Sequence, residues 1–268
     1  MIEGAFEMIT EEAIDDLAER YLAAEADRIA LEPLSVICPH LTVEEAYRVQ
    51  MAIVARKVGT GERIAGKKVG ATNEAIQRAM KIGEPIYGHL FVGQRISDGA
   101  QVSLKELIHP RVECEIAFTL RRDLVGPGVT AADALDAVGA VSAAIEINDS
   151  RTRGWDIGIR EVVADNGVAA RFLLGRKEVS SNGLDLREVR VVMEKNGEEA
   201  ARSSGAAILG DPALSLAWLA NKIGEGDGGL RAGEVVLAGS MTPMAPVAAG
   251  DLVEASFDGL GSLSVRFR

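Results

Sequence analysis

Two glutamates, Glu113 and Glu115, stand one residue apart inside an otherwise apolar run of the sequence. In a β-strand, side chains at positions i and i+2 point to the same face, so the two carboxylates are predicted to share one small volume while Val112, Cys114 and Ile116 face the other way. Neighbouring carboxylates on a half-buried face repel each other and lose hydration, which costs free energy unless a cation lies between them or water reaches both. The pattern leaves two interpretations open: a metal site, or a strand whose outer face is wet.

A third glutamate, Glu146, lies inside a second apolar run, Val141 to Ile147. A lone carboxylate among apolar neighbours needs a partner. Three carboxylates that converge from two strands would form an oxygen-only site of the kind that Mg²⁺ prefers, with positions left for water and a substrate. A structural ion pair with a lysine is the alternative for Glu146.

Two lysines upstream extend the candidate chemistry. The segment Gly66-Lys67-Lys68-Val69-Gly70 is predicted to be a strand with glycine at both ends, and alternation turns one lysine inward and the other outward. Lys68 shares its face with the two glycines, where a ligand can approach closely, so Lys68 is the candidate to move protons or hold an anionic substrate. Lys67 is predicted to be an ordinary surface lysine.

The predicted secondary structure that must position these groups changes from helices to short strands near residue 63. Before it, amphipathic helical patterns begin at Thr10 and at the capping box Thr42-Val43-Glu44-Glu45, in which the threonine and the second glutamate satisfy backbone N–H groups at the start of a helix. After it, short β-branched runs alternate with glycines and with turn signals such as Lys195-Asn196-Gly197. Many short strands with few helices predict an α+β fold built on a mixed sheet or a rolled sandwich. The predicted division is a helical portion over residues 1–62 and a second portion over residues 63–268.

Length and charge restrict the class of protein. The 268 residues are enough for one large domain, and the formal net charge is −11 with no basic cluster. Nucleic acids and anionic membrane surfaces both require a basic face, so neither is an expected partner. The start, Met1 to Glu7, lacks the pattern of a signal peptide, and no apolar run is long enough to span a bilayer. We therefore expect a soluble cytoplasmic protein.

Cysteine and histidine are scarce. The two cysteines, Cys38 and Cys114, and the three histidines form neither a disulfide framework nor a zinc-binding pattern, so any metal must be held mostly by oxygen. His89 follows a turn at the start of a strand and is predicted to be a packed or surface histidine, with a reserve role as proton carrier as the alternative.

Several motifs together resemble the fumarylacetoacetate hydrolase superfamily, and within it the branch of 2-hydroxypenta-2,4-dienoate (2-oxopent-4-enoate) hydratases and 4-oxalocrotonate decarboxylases. The resemblance runs from about Gly66 to the C-terminus. The motifs are Gly66-Lys67-Lys68-Val69-Gly70-Ala71-Thr72, Pro110-Arg111-Val112-Glu113-Cys114-Glu115, Ile145-Glu146, Asp149-Ser150-Arg151, Ala164-Asp165-Asn166, Leu209-Gly210-Asp211-Pro212 and Gly239-Ser240. The Glu-x-Glu pattern alone is weak, but its combination with Glu146 and the lysine motif is specific.

The resemblance implies a β-roll, the catalytic metal-binding domain, behind a helical N-terminal portion, assembled as a homo-oligomer and possibly complexed with a companion enzyme of the same pathway. It implies an Mg²⁺ or Mn²⁺ site and a small 2-oxo acid as substrate. The implied residues are metal ligands Glu113, Glu115 and Glu146, the catalytic Lys68, and Thr72 and Ser240 as substrate-binding residues.

The implied activity is that of a lyase in the catabolism of aromatic ring-cleavage products. A hydratase would convert a 2-hydroxy-2,4-dienoate to its conjugated keto form and add water to give a 4-hydroxy-2-oxo acid. Decarboxylation of 4-oxalocrotonate is the alternative, since the same metal site accepts the electron pair left by CO₂. Hydrolysis of a C–C bond in an acylpyruvate is a further alternative, but it commonly uses a histidine as general base.

Local departures from the family pattern point in both directions. Hydratases of this type often have an acid where Ile86 stands and a serine after the Asp-Asn pair, where this chain has Gly167 and Val168, so these positions are more similar to the decarboxylases or to an outlying subgroup. The segments Gly239 to Pro243 and Arg153 to Trp155 are more similar to the hydratases. We therefore expect a hydratase and keep the decarboxylase as the alternative.

Overall fold

The chain folds into two β-sheets with helices packed around them, as described by a computed structural model for residues 9–155, 157–224 and 228–268. The segment Met1 to Glu7, which lacks a signal-peptide pattern, lies outside these residues. The helices are α1 (Glu11–Asp27), α2 (Leu34–Ile37), α3 (Val43–Gly59), α4 (Glu74–Met80), α5 (Ala131–Ala137), α6 (Ile159–Ala164) and α7 (Pro212–Gly224). The strands are β1 (Ile64–Gly70), β2 (Ile86–Phe91), β3 (Arg95–Ile96), β4 (Ala100–Val102), β5 (Arg111–Leu120), β6 (Val138–Asn148), β7 (Ala169–Leu174), β8 (Arg190–Lys195), β9 (Glu198–Ser204), β10 (Val235–Ser240), β11 (Ala245–Pro246), β12 (Leu252–Phe257) and β13 (Gly261–Phe267).

The larger sheet is mixed and carries the candidate site. Its strand order is β2-β1-β10-β5-β6-β7-β3, and β11 pairs with the outer part of β5. Strands β1 and β10 run parallel, as do β3 and β7, whereas the pairs β1–β2, β10–β5, β5–β6 and β6–β7 are antiparallel. The long pairing of β5 with β6 forms the centre of this sheet.

The smaller sheet has the order β4-β13-β12-β8-β9 and covers one face of the larger sheet. The main hydrophobic core contains alternate residues of β5 and β6, such as Ile116 and Ile145, together with inward residues of the smaller sheet, such as Met193, Val253 and Val265. Strands with one face in this core leave the other face of β5 and β6 available for polar groups. This architecture confirms the predicted α+β fold of rolled, packed sheets.

The helical segments predicted from the first sixty residues are present. Thr10 caps α1 by accepting a hydrogen bond from Ala13 N, and Thr42 and Glu45 form the predicted capping box of α3. The apolar faces of both helices share one hydrophobic cluster with α6 and with Ile86 of β2. The N-terminal helices therefore pack directly against the elements that surround the site. Within the described ranges, no helix is both long enough and apolar enough to cross a membrane.

Candidate metal centre

The three glutamates predicted from the sequence meet on one face of the larger sheet. Glu113 pairs with Glu146 across β5 and β6, so cross-strand register brings them together while the i+2 relation adds Glu115. One carboxylate oxygen from each lies within 4.8 Å of those of the other two. Glu113 is 7% exposed and both Glu115 and Glu146 are 0% exposed. The alternative of a strand with a wet outer face is therefore wrong.

Burial makes this cluster of carboxylates electrostatically unfavourable without a cation. Burial raises the pKa of Glu113 to about 7, and the charge of Glu146 contributes to the rise against the opposing effect of Lys68. Burial and the charges of Glu146 and Glu113 raise the pKa of Glu115 well above its usual value. Glu115 Oε1 and Glu146 Oε1 are buried and have no hydrogen-bond partner among the described residues. Unpartnered oxygens in an all-carboxylate set fit a hard divalent cation.

Lys68 lies beside this cluster. Its ammonium is 3.0 Å from Glu146 Oε2 and donates a hydrogen bond to Gly167 O at 3.2 Å. Burial alone would lower the pKa of Lys68, but the negative charges of Glu146, Glu113 and Glu115 outweigh burial and hold the pKa above its usual value. Glu146 can therefore form an ion pair with Lys68 and also bind a metal. Lys68 pairs with Oε2, and Oε1 has no hydrogen-bond partner among the described residues.

Lys67 corrects a prediction made from strand alternation. As predicted, Lys67 and Lys68 point to opposite faces of β1. Lys67 shares its face with Val69, which belongs to the main core. However, Lys67 is 5% exposed and lies 3.8 Å from Glu234 Oε1, so the prediction of a surface lysine is wrong. Both faces of β1 are covered by other elements, which alternation within one strand does not reveal.

One side-chain donor and one backbone donor hold the carboxylates, and neither was predicted from the sequence. Asn148 Nδ2 donates to Glu113 Oε1 at 2.8 Å, and Gly239 N donates to Glu115 Oε2 at 2.7 Å. Asn148 lies two residues after Glu146 on β6 and faces the same side, so the i+2 rule that linked Glu113 with Glu115 could have identified it. Gly239 belongs to the Gly239-Ser240 motif, but no local pattern in the sequence indicates that its N–H binds Glu115.

Glycine is required at two positions in the wall of the site. A Cβ at Gly239, where φ is +118°, would lie 2.5 Å from both Cγ2 and Oγ1 of Thr72. A Cβ at Gly167, where φ is +63°, would lie 2.9 Å from Lys68 Cδ. The first glycine lets the β10 backbone approach Glu115 and Thr72 together, and the second lets its own carbonyl reach Lys68.

A left-handed turn supports the Lys68 side chain. Asn166, Gly167 and Val168 have φ values of 52°, 63° and 57°, a conformation that is rare for a β-branched valine. The Asn166 side chain fixes the turn against β2, because Oδ1 accepts from His89 N at 2.7 Å and Nδ2 donates to His89 O at 2.8 Å. Strained backbone of this kind is concentrated at functional sites, where neighbouring contacts hold it.

A cavity of about 160 Å³ adjoins Glu113, and the predicted substrate-binding residues form part of its wall. Lys68, Thr72, Glu113 and Ser240 all line it. Its volume is below the roughly 300–1,000 Å³ of pockets for drug-sized ligands, which fits a small acid. The structure thus brings Thr72 and Ser240 to the same cavity as Lys68, and their role in binding remains a prediction.

Arg111 and Trp155 form one wall of this cavity and were not identified as site residues from the sequence. The Arg111 guanidinium lies 4.6 Å from the centre of the Trp155 ring, and Trp155 Nε1 donates to His109 O at 2.9 Å. Arg111 precedes Glu113 by two residues on β5 and shares its face. A guanidinium held by stacking can bind a carboxylate in a bidentate manner.

The loops that follow β6 and α6 contain three buried charged residues, Asp149, Arg151 and Asp165. Arg151 is buried and forms an ion pair with Asp165 through Nε and Oδ1 at 2.5 Å, while its Nη2 donates to Asp165 O at 2.7 Å. Asp149 accepts hydrogen bonds from Ile108 N and His109 N at 2.8 and 2.7 Å. None of these three residues lines the described cavity. They hold together the loops that follow β6 and α6.

His89 is a packed histidine, as the first of its two interpretations predicted. It is 2% exposed, its Nδ1 lies 3.2 Å from Gln50 Oε1, and burial lowers its pKa to about 3. It is absent from the described lining of the cavity, so the alternative of a reserve proton carrier has no geometric support.

Comparison with known proteins finds relatives along nearly the whole chain. The model of the fumarylacetoacetate (FAA) hydrolase C-terminal family matches residues 58–268. The chain is 39% identical over 262 residues to 2-hydroxyhexa-2,4-dienoate hydratase of Comamonas testosteroni, covering 97% of this chain and 99% of the relative. It is 38% identical over 259 residues to 4-oxalocrotonate decarboxylase of Pseudomonas sp. strain CF600, covering 97% and 98% of the two chains. The solved structure of 4-oxalocrotonate decarboxylase from Pseudomonas putida G7, complexed with magnesium and adipate, is similar with a TM-score of 0.95 at 37% identity, covering 98% of this chain and 100% of that chain.

Proposed function

The chain belongs to the fumarylacetoacetate hydrolase family, and from that premise we propose that it is a divalent-metal-dependent hydratase of 2-hydroxy-2,4-dienoates. The substrate is of the 2-oxopent-4-enoate type and the product is a 4-hydroxy-2-oxo acid. The observation that carries the proposal is the cluster of Glu113, Glu115 and Glu146, whose ligand atoms lie within 4.8 Å of one another, with Lys68 Nζ 3.0 Å from Glu146. The full-length similarity to a named dienoate hydratase supports the same reaction.

We assign the metal ligands to Glu113, Glu115 and Glu146, and the cation to Mg²⁺ or Mn²⁺. When bound, the cation would act as a Lewis acid toward the keto and carboxylate oxygens of a 2-oxo acid and stabilise negative charge at the C2 oxygen. Asn148 and Gly239 fix the orientations of Glu113 and Glu115 through hydrogen bonds. Oriented ligands of this kind give a site its metal affinity.

In this proposal Lys68 donates a proton first at C5 and then at C3, and the protons released by the 2-hydroxyl group and by the attacking water restore its ammonium. Conversion of the dienol to the conjugated ketone removes a proton from the 2-hydroxyl group and adds one at C5. Hydration then forms a C–O bond from water to C4 and places a proton on C3. The Lys68 ammonium is held by Glu146 and by Gly167 O, which fixes a proton donor beside the substrate's carbon chain. Thr72 and Ser240, which line the same cavity, are assigned to hold the substrate.

A decarboxylase is the second candidate, because Ile86 stands beside Lys68. A Cβ placed on Gly70 would lie 3.2 Å from Ile86 Cγ1 and 3.7 Å from Lys68 Nζ, so an apolar side chain occupies the position where related hydratases often have an acid. The decarboxylase structure with a TM-score of 0.95 was solved with adipate, a dicarboxylate. Acylpyruvate hydrolysis has less support, since no histidine is among the described residues that line the cavity.

The deciding experiment assays the purified protein on two substrates with millimolar Mg²⁺. Loss of the dienol 2-hydroxypenta-2,4-dienoate, with formation of 4-hydroxy-2-oxopentanoate, supports the hydratase. Release of CO₂ from 4-oxalocrotonate without hydration of the dienol supports the decarboxylase. Absence of both reactions would overturn the assignment to a lyase of this branch.

We also propose that the protein acts in the cytoplasm as a homo-oligomer, as its resemblance to the family implies. Light scattering on the eluting peak of a size-exclusion column measures the mass in solution against the 28.3 kDa of one chain. A single species of 28.3 kDa at micromolar concentration would contradict the oligomer.

A further inference from the structure

The cavity beside Glu113 is lined by two cationic residues and by several apolar ones, and we infer that it has a charged end and an apolar end and selects monocarboxylic substrates with an alkyl tail over dicarboxylic ones. This inference rests on the proposed function, because it concerns which 2-oxo acid the same site accepts. It assigns the C1 carboxylate to the end with Arg111 and the tail beyond C4 to the end below α4.

The apolar end is continuous with a packed hydrophobic cluster. Ile86, Met80 and Val162 line the cavity and belong to, or pack against, the cluster formed by α1, α3 and α6. Ile76 precedes Met80 by four residues on α4 and therefore lies on the same helix face, and it also lines the cavity. Ile76 is 46% exposed, so this end has apolar surface that a bound alkyl group would cover.

The charged end lies near Glu113. Arg111 shares the β5 face with Glu113 and is stacked 4.6 Å from the centre of the Trp155 ring. Its cross-strand partner on β6 is Asn148, which binds Glu113. Stacking restricts the guanidinium to a fixed orientation and leaves its N–H edge for an anion.

Lys68 adjoins both the glutamate cluster and Ile86. The position of a Cβ on Gly70 is within 4 Å of both Lys68 Nζ and the Ile86 side chain, so the ammonium adjoins the start of the apolar end. A substrate whose carboxylate is at Arg111 therefore directs its carbon chain past Lys68 and toward Ile86. This orientation also agrees with the proton transfers at C3 and C5 that the hydratase reaction needs.

A second carboxylate would be poorly accommodated at the apolar end. Among the described residues that line the cavity, the cationic ones are Lys68 and Arg111, and Lys68 is already paired with Glu146. A carboxylate buried among Ile76, Met80 and Ile86 would lose hydration without gaining a partner. An alkyl group at the same place gains burial, and each added methylene in such a pocket changes selectivity by about tenfold or more.

Unreactive 2-oxo acids test this inference by binding alone. Calorimetric titration in Mg²⁺ compares pyruvate, 2-oxohexanoate and 2-oxoadipate, the last two having equal chain length and differing in a terminal methyl or carboxylate. We expect 2-oxohexanoate to bind at least about tenfold more tightly than pyruvate and at least about tenfold more tightly than 2-oxoadipate.

Two variants of α4 test whether the selectivity between these acids arises at the apolar end of the cavity. Met80→Lys places an ammonium at the apolar end and is expected to reverse the preference. The variant should bind 2-oxoadipate about tenfold more tightly and 2-oxohexanoate about tenfold more weakly than the wild type does. Ala79→Lys adds the same charge to the exposed neighbouring position, which does not line the cavity, and is expected to leave the wild-type preference.

The outcomes separate this inference from the proposed function. Equal or tighter binding of 2-oxoadipate by the wild-type protein, with hydration of the dienol intact, overturns the inference alone. Identical behaviour of Met80→Lys and Ala79→Lys also overturns it. Failure to bind any of the three acids, together with no activity on the dienol, overturns the proposed function and the inference with it.

Discussion

Lys68 Nζ lies 3.0 Å from Glu146 Oε2, and both side chains are enclosed, at 4% and 0% exposure. The pair joins β1 to β6, although β10 and β5 separate these strands in the sheet. Curling of the sheet therefore brings a buried ammonium to the edge of the glutamate cluster. This relationship links the proposed metal ligands to the proposed proton donor.

Replacement of Lys68 by methionine tests its role in proton transfer. Lys68→Met is expected to lower kcat for dienol hydration by about 10²–10⁴-fold, the usual contribution of a general acid–base group. Mg²⁺ affinity is expected to be unchanged or tighter, because a positive charge beside the carboxylates is removed. Steady-state kinetics and calorimetry measure the two quantities separately.

Lys67→Met is the matched control for that variant. It removes an ammonium from the neighbouring position on the opposite face of β1, where Lys67 lies 3.8 Å from Glu234. At a temperature where circular dichroism shows both variants folded, kcat of Lys67→Met is expected to stay within a few-fold of wild type. Equal kcat values for the two variants would contradict the assignment to Lys68.

Asn148 is expected to act on metal binding through Glu113. Asn148→Ala removes the 2.8 Å hydrogen bond to Glu113 Oε1, and loss of such a supporting contact typically weakens metal affinity by about 10–100-fold. Calorimetric titration with Mg²⁺ measures the dissociation constant, with the exposed Asn182→Ala as control. An unchanged dissociation constant in Asn148→Ala would show that Glu113 is oriented without Asn148.

Much of the candidate site was predictable because its residues follow a period of two. Glu113, Glu115 and Glu146 stood out as carboxylates within apolar runs, and the structure places them together with Lys68. The same periodicity would have added Arg111 and Asn148. A guanidinium and an amide on the same strand faces do not stand out in the sequence as the acids within apolar runs do.

Other features depended on the third dimension and were not predictable from local patterns. The burial of Lys67 follows from packing on both faces of β1, which no alternation within one strand reveals. The apolar end of the cavity combines Ile86 of β2, Met80 of α4 and Val162 of α6, which are separated widely in sequence. The bracing role of Arg151 and Asp165 likewise required the loops after β6 and α6 to meet.

Gly239 is expected to tolerate no side chain. In Gly239→Ala the added Cβ meets Thr72 at 2.5 Å and disturbs the backbone that donates to Glu115, so we expect a loss of about 1–3 kcal/mol in the free energy of unfolding from overpacking. Gly250→Ala is the control, because φ there is +97° and the position is open. Urea denaturation measures both variants, and equal losses would show that backbone strain alone explains the effect.

Stability at acid pH is expected to depend on His89. Burial lowers the pKa of this side chain to about 3, whereas in the unfolded chain it is about 6.5. Between these values the unfolded state binds a proton that the folded state does not, so this group's contribution to stability is full above pH 6.5 and falls as the pH decreases toward 3. The loss at pH 5 amounts to about 2 kcal/mol.

Comparison of wild type with His89→Gln isolates that effect from the other titrating groups. The difference in unfolding free energy between the two proteins, measured by urea denaturation at pH 8 and pH 5, is expected to move by about 2 kcal/mol in favour of the variant at the lower pH. A difference that is the same at both pH values would mean that His89 is protonated in the folded state.

Titration of the metal-free protein with Mg²⁺ tests the central claim most directly. We predict saturable binding in the wild type and at least about tenfold weaker binding in Glu146→Gln, with no change in Glu254→Gln, a substitution at an exposed glutamate of β12. Absence of Mg²⁺ binding by the wild-type protein at millimolar concentration, or identical affinities of wild type and Glu146→Gln, would contradict a metal centre built from Glu113, Glu115 and Glu146.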